Sequence, residues 1–203
     1  MLIDDEGVVR QERASAIGEL VRVVILQKVD KLNDFKHLYK KFGGDHLHEL
    51  SRDEIESECP NWFSRWIVAQ TFTAMSLEAF YYDYIQNKAS KNQAEKRRTP
   101  SERFSFICHD LLKASPVKVV DLVNKVSLLD KTRTHWAHNK SSDFINYRRV
   151  KDFFSPDECV EILIEVFGLV FEYDRSYIFA REIHSILNQV QVNAVNEIDA
   201  LSP

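Results

Sequence analysis

Trp62-Phe-Ser-Arg-Trp66-Ile-Val-Ala69-Gln-Thr-Phe-Thr73-Ala-Met-Ser-Leu77-Glu-Ala-Phe80-Tyr-Tyr-Asp-Tyr84 decides the fold. Trp62, Trp66, Ala69, Thr73, Leu77, Phe80 and Tyr84 recur at steps of three and four, the spacing that lines one side of an α-helix. The stretch predicts a long helix over about 61–88, with Trp66, Phe80 and Tyr84 large enough to dominate its packing. The same period links Val119, Val123, Val126 and Leu129, and again Leu163, Val166, Val170, Tyr173 and Tyr177. All three stripes are read as core.

Working outward, three short segments carry the same helix-start device. Ser51-Arg-Asp-Glu54, Thr99-Pro-Ser-Glu102 and Ser155-Pro-Asp-Glu158 each set a hydroxyl three residues before a glutamate, the pattern of a capping box. In two of them proline takes the first helical position, where its missing N–H costs nothing. Ser115-Pro116 is a fourth start, and Gly43-Gly44 is a stop. The expected order is a first helix over 8–42, with Asp30–Asp34 as the place where it would break, and a capped turn at 52–58. The helix at 61–88 follows, then helices at 100–113 and 116–138. A long last helix spans 156–190, ahead of a frayed end at 193–203. The expectation is one all-α domain over residues 1–203, a bundle of four to five long helices.

The bulk numbers agree. With 203 residues, 44% hydrophobic and 29% charged, the chain reads as globular, and only five glycines and five prolines leave few sharp turns. A net charge of −4 makes the molecule no general attractor of nucleic acid, so any such contact must be local. Cys59, Cys108 and Cys159 are widely spaced and odd in number, which points to reduced thiols in a cytoplasm. The acidic N-terminus lacks the basic region of a signal peptide, and Glu161, Glu165 and Glu172 make the most apolar stretch amphipathic, so no membrane association is expected.

Chemistry gathers where the helix from Val117 turns abruptly polar, at Asp130-Lys-Thr-Arg133-Thr-His135-Trp-Ala-His138-Asn-Lys140. Arg133 brings a fixed cation and His138 a side chain that titrates near neutrality. Around a regular helix the two stand about 140° apart, and about 7.5 Å apart along it. Both reach one substrate only if the helix is distorted or ends between them, or if a twofold partner completes the site.

Arg133 and His138 in this spacing resemble the Arg-x4-His motif of the HEPN superfamily. Ala74-Met-Ser-Leu77-Glu78-Ala-Phe80-Tyr-Tyr-Asp83-Tyr-Ile85 resembles the superfamily helix that packs against the motif helix and presents an acidic or amide side chain to the cleft. The two stretches cover some 70 residues, from Trp62 to Ser142 less a linker. The resemblance implies a HEPN-like up-and-down core over about 61–142. It also implies a homodimer with the motifs facing one cleft, and metal-independent cleavage of single-stranded RNA by attack of the ribose 2′-OH. Arg133 and His138 are then the catalytic pair, with His138 as general acid or base and Arg133 stabilising phosphoryl charge. Thr134, His135, Asn139, Glu78 and Asp83 take supporting places. Thr134 departs from the longer polar residue usual after the arginine. Lys140 stands where some members have a tyrosine.

The resemblance also raises a toxin or defence context, with a cognate antitoxin or a nucleotidyltransferase-type partner. A second reading is a catalytically silent HEPN-like module for binding or dimerisation. Arg133 would then simply pair with Asp130 or the end of its helix. The run Lys88 to Arg98 is basic and poor in apolar residues, so it is expected to be an exposed loop. Lys96, Arg97 and Arg98, with Lys140, are its candidates for RNA-backbone contact. His135 and His138, and the cluster of His37, His46 and His48, lack further ligands at metal spacing, so neither metal nor cofactor is expected.

Overall fold

The three hydroxyl–glutamate pairs each start a helix. At Ser51, Thr99 and Ser155 the side chain accepts from the backbone N–H three residues on, and the glutamate accepts in return from the capping residue's own N–H. The computed structural model describes the backbone of residues 5–138 and 154–201, and side chains within 13–133 and 154–201. Among the described residues every regular element is helical. α1 (Asp5–Phe42) is followed by a 3-10 turn at Gly44–Glu49, α2 (Arg52–Glu58) and α3 (Trp62–Lys88). α4 (Lys91–Lys96), α5 (Pro100–Phe106) and α6 (Pro116–His138) come next, then α7 (Pro156–Tyr173) and α8 (Ile178–Asp199). Five of these, α1, α3, α6, α7 and α8, are long.

Four expectations are corrected. The single last helix over 156–190 is two helices, broken at Asp174–Tyr177. Asp174 leaves helical geometry at φ −131° and ψ 75°. Its carboxylate accepts from Tyr84 Oη at 2.9 Å and Ser176 Oγ at 2.6 Å, and pairs with Lys88 Nζ at 2.6 Å. Burial alone would raise this carboxyl, but those donors outweigh it and hold it below its ordinary value. The chain then folds back on itself. Phe167 meets Phe179 at 6.0 Å, and Lys28 reaches both Asp157 near the start of α7 and Gln191 late in α8. The frayed end at 193–203 is also corrected, since α8 continues to Asp199 and buries Ala194.

The basic run after Lys88 is not a loop throughout. Ser90 accepts from Gln93 N at 3.2 Å, which starts α4, and Ala94 is buried. Finally, the helix at 100–113 stays α-helical only to Phe106 and then widens into a π turn over Ile107–Leu111. Lys113 ends it at φ 54°, left-handed backbone that seldom suits a residue with a side chain. α1, in contrast, runs unbroken through Asp30–Asp34. Both carboxylates accept from Arg65 of α3, at 2.8 and 2.9 Å, so the residues that threatened the helix pin it to its neighbour.

Phe80 lies at the centre of the core, with ring centroids of Phe167 at 4.7 Å, Tyr84 at 5.8 Å and Tyr177 at 6.1 Å. Buried residues of α1, α3, α5, α6, α7 and α8 join it in one hydrophobic cluster. Three members of the expected stripes stand apart from that cluster: Trp62 and Trp66 are only partly buried, and Tyr173 is exposed. Gly168 of α7 lets α8 approach closely, since a Cβ there would lie 2.9 Å from His184 Nε2. Lys28 is almost fully buried between α1, α7 and α8, where Asp157 Oδ1 accepts from it at 2.8 Å and Gln191 Oε1 at 2.7 Å. All three cysteines are free and buried, and burial pushes the Cys108 and Cys159 thiols up to about 12. No described helix is long and apolar enough to cross a membrane.

Candidate functional site

Arg133 lies on α6, one turn beyond the buried stripe of Val119, Leu122, Val126 and Leu129. Its own Nη2 is 3.3 Å from Glu78 Oε2 on α3 and 3.4 Å from Asp130 Oδ1, one turn back on α6. The polar end of α6 is therefore packed against the middle of α3, and Glu78 is the residue that meets the arginine. Glu78 has a second cation. Arg103 of α5 brings Nη1 to 3.6 Å from Oε1, so one carboxylate is forked between two guanidinium groups. Arg103 is only 13% exposed in its side chain, and the Nε atoms of both arginines are buried without a hydrogen-bond partner.

Sequence reasoning did not single out Arg103, although a signal was there. Pro100, Arg103, Phe104 and Ile107 follow the i, i+3, i+4, i+7 rhythm of a buried stripe, and three of the four are buried apolar residues. A charged residue within such a rhythm points to an ion pair at the edge of the core.

Asp83 is engaged elsewhere. It accepts from Arg13 Nε of α1 at 3.1 Å; burial pushes its carboxyl up, against the pull of Arg13. Tyr82 joins the two halves of this surface, with the guanidinium of Arg13 at 5.3 Å and that of Arg103 at 5.5 Å from its ring centroid. α6 remains helical through His138, so the backbone positions of Arg133 and His138 keep the rotational offset of a regular helix. The side chains of Thr134, His135 and His138, and all of Asn139 and Lys140, lie outside the described residues.

Of the remaining cations, Arg98 is exposed and donates its backbone N–H to Glu102 Oε2 at 2.9 Å. Arg97 is held firmly: Nη1 donates to Gln93 O at 2.6 Å and Gln93 Oε1 at 2.9 Å, and the guanidinium carbon sits 3.2 Å from the centroid of the Phe106 ring. Lys96 and Arg97 line an open groove of about 670 Å³ between α4–α5 and α6, together with Glu102, Phe106, Asp110, Asn124 and Ser127.

The histidine cluster is dispersed among carboxylates, His37 on Glu58 at 3.2 Å and His46 on Glu49 at 3.1 Å. Among the described residues no three His, Cys, Asp or Glu side chains are grouped to hold a metal ion. Comparison with known proteins supplies no relative: no family model, no curated protein and no solved structure matches the chain.

Proposed function

We propose that this protein is a HEPN-like, metal-independent endoribonuclease that cleaves single-stranded RNA as a homodimer. The observation that carries the reading is the contact of Arg133 with Glu78. The resemblance implies that the Leu77-Glu78-Ala79-Phe80 helix lies against the motif helix with its acidic residue toward the cleft, and that pair of side chains meets at 3.3 Å. Glu78 and Asp130 then act as positioning residues that fix the guanidinium. Arg133 donates to the phosphoryl oxygens as charge grows on them, and His138 transfers the proton between the 2′-OH and the leaving oxygen. The product is a 2′,3′-cyclic phosphate and a free 5′-OH. The up-and-down HEPN-like core, the cytoplasmic location and the toxin or defence setting, with an antitoxin or nucleotidyltransferase-type partner, belong to the same proposal.

The second reading, a silent binding or dimerisation module, draws on the same contact seen from the other side. Two carboxylates within 3.4 Å neutralise Arg133, which is what a purely structural ion pair would do. Incubating the purified protein with total RNA in excess chelator separates the two readings. Cleavage to cyclic-phosphate ends, lost in His138→Ala, supports the nuclease. Intact RNA throughout supports the module. Light scattering at tens of micromolar that gives a monomer would remove the composite site.

A further inference from the structure

We infer that the groove between α4–α5 and α6 is a nucleotide subsite for single-stranded RNA, with one base stacked on the Arg97–Phe106 pair. The identity of the ligand rests on the ribonuclease reading; the placement rests on the groove itself. Arg103 midway along α5 and Arg133 near the end of α6 both reach Glu78, while Asp110 just beyond α5 and Asn124 nearer the middle of α6 wall the same groove. The two helices therefore run antiparallel; Lys96 and Arg97 share the groove with Glu102 and Asp110, and the Arg97 guanidinium lies on Phe106, the last residue of α5. Ser127 on the groove wall precedes Arg133 by six residues, about 9 Å along the helix and about 120° around it, so Arg133 stands off the groove's own face.

The lining suits a nucleotide. The Arg97 guanidinium, held by two hydrogen bonds to Gln93 and seated on the Phe106 ring, is a fixed plane of the kind on which unpaired bases stack. Lys96 is exposed beside it, a point charge for a phosphate. One turn beyond Phe106, Asp110 offers an acceptor for an exocyclic amino group, and Asn124 offers both donor and acceptor to a base edge. A groove of about 670 Å³ has room for a nucleotide with its neighbouring phosphates.

The test is binding of a short fluorescein-labelled, 2′-O-methylated single-stranded RNA, which cannot be cut, to the full chain. Arg97→Ala should weaken binding at least about fivefold, the low end for loss of one stacked base. Arg97→Lys should weaken it nearly as much, because it keeps the charge and loses the plane. Ser127→Trp, which fills the groove, should abolish binding. Lys96→Ala should reduce the salt slope by about 0.7, the share of one phosphate on a single strand. Thermal melts establish that each variant is folded. If Arg97→Ala and Ser127→Trp bind like the parent, or if the parent binds a mononucleotide and no RNA, the groove assignment is wrong. Cleavage of ordinary RNA separates the two failures. A cutting enzyme whose groove variants bind normally loses only the subsite. A protein that binds through the groove and never cuts loses only the nuclease reading.

Discussion

Replacing Asp157 should damage this protein more than replacing its partner Lys28, although both changes break the same buried ion pair. The Lys28 side chain is 3% exposed, whereas that of Asp157 is 42% exposed and also accepts from Lys31. Asp157→Ala leaves an ammonium group between three helices with Gln191 Oε1 as its remaining acceptor. Stranding one member of a buried pair costs about 3–5 kcal/mol, and the exposure of Asp157 reduces that to about 2–3 kcal/mol. Lys28→Met keeps the volume of the stem and leaves Asp157 with Lys31 and water, so it should cost less than about 1.5 kcal/mol. Urea unfolding at constant m-value measures both, and melting should fall by roughly 2–4 °C per kcal/mol in a chain of this size. Acid adds a second arm. Burial opposes ionisation of Asp157, but the two lysines outweigh it and hold its carboxyl below the ordinary value. Its contribution is therefore complete above the unfolded carboxyl value and is lost as pH falls through the lower folded one, a component absent from Asp157→Ala. A Lys28→Met variant that loses as much stability as Asp157→Ala, or more, would refute the asymmetry of burial on which this rests.

Arg133→Ala and His138→Ala should each lower RNA cleavage at least about 10²-fold while His135→Ala costs less, read as initial rates of cyclic-phosphate formation in chelator. Phe80→Ala should cost about 3–5 kcal/mol in urea titration, and Trp66→Ala should cost less because that ring is only partly buried. Gly168→Ala should destabilise the chain because its Cβ meets the His184 ring, yet in a His184→Ala background it should become stabilising by up to about 1 kcal/mol as helix propensity takes over; equal effects in the two backgrounds would contradict the close approach. Burial holds His184 below its usual 6.5, so the unfolded chain takes up that proton first; stability from the neutral ring is complete above 6.5 and declines as pH falls toward the folded value, a slope that should shrink in His184→Asn.

The parts of the fold legible in the sequence are those decided within one or two turns. Ser51, Thr99 and Ser155 reach groups three residues away, so their capping boxes could be read from spacing alone. The break at Asp174 could not. The aspartate turns the chain because Tyr84 and Lys88, some ninety residues earlier, converge on its carboxylate, and no local pattern encodes that. Likewise Asp30 and Asp34 looked like a weakness in α1 because their partner Arg65 belongs to another helix. At the candidate site, Arg133 and Glu78 could be paired beforehand only through resemblance. Arg103 completes the fork from a third helix whose place beside α3 follows from tertiary packing. The groove was invisible for the same reason: Lys96 and Arg97 read as part of a charged loop until Ser90 started a helix and Phe106 came beneath the guanidinium.

The three buried thiols give the molecule its own set of timers. Cys59 ends α2, Cys108 lies in the π turn after α5, and Cys159 begins the second turn of α7, so each is shielded by a different part of the packing. With Cys108 and Cys159 raised to about 12 and Cys59 also pushed up by burial, none offers an appreciable thiolate while its surroundings stay closed. A thiol-reactive dye therefore modifies each site only as fast as that neighbourhood opens, and mass spectrometry of the labelled peptides would date three separate openings in one unmutated chain. Equal rates at the three sites would mean that the helices come apart together. A faster rate at Cys108 would mark the widened turn as the place where the bundle first gives way.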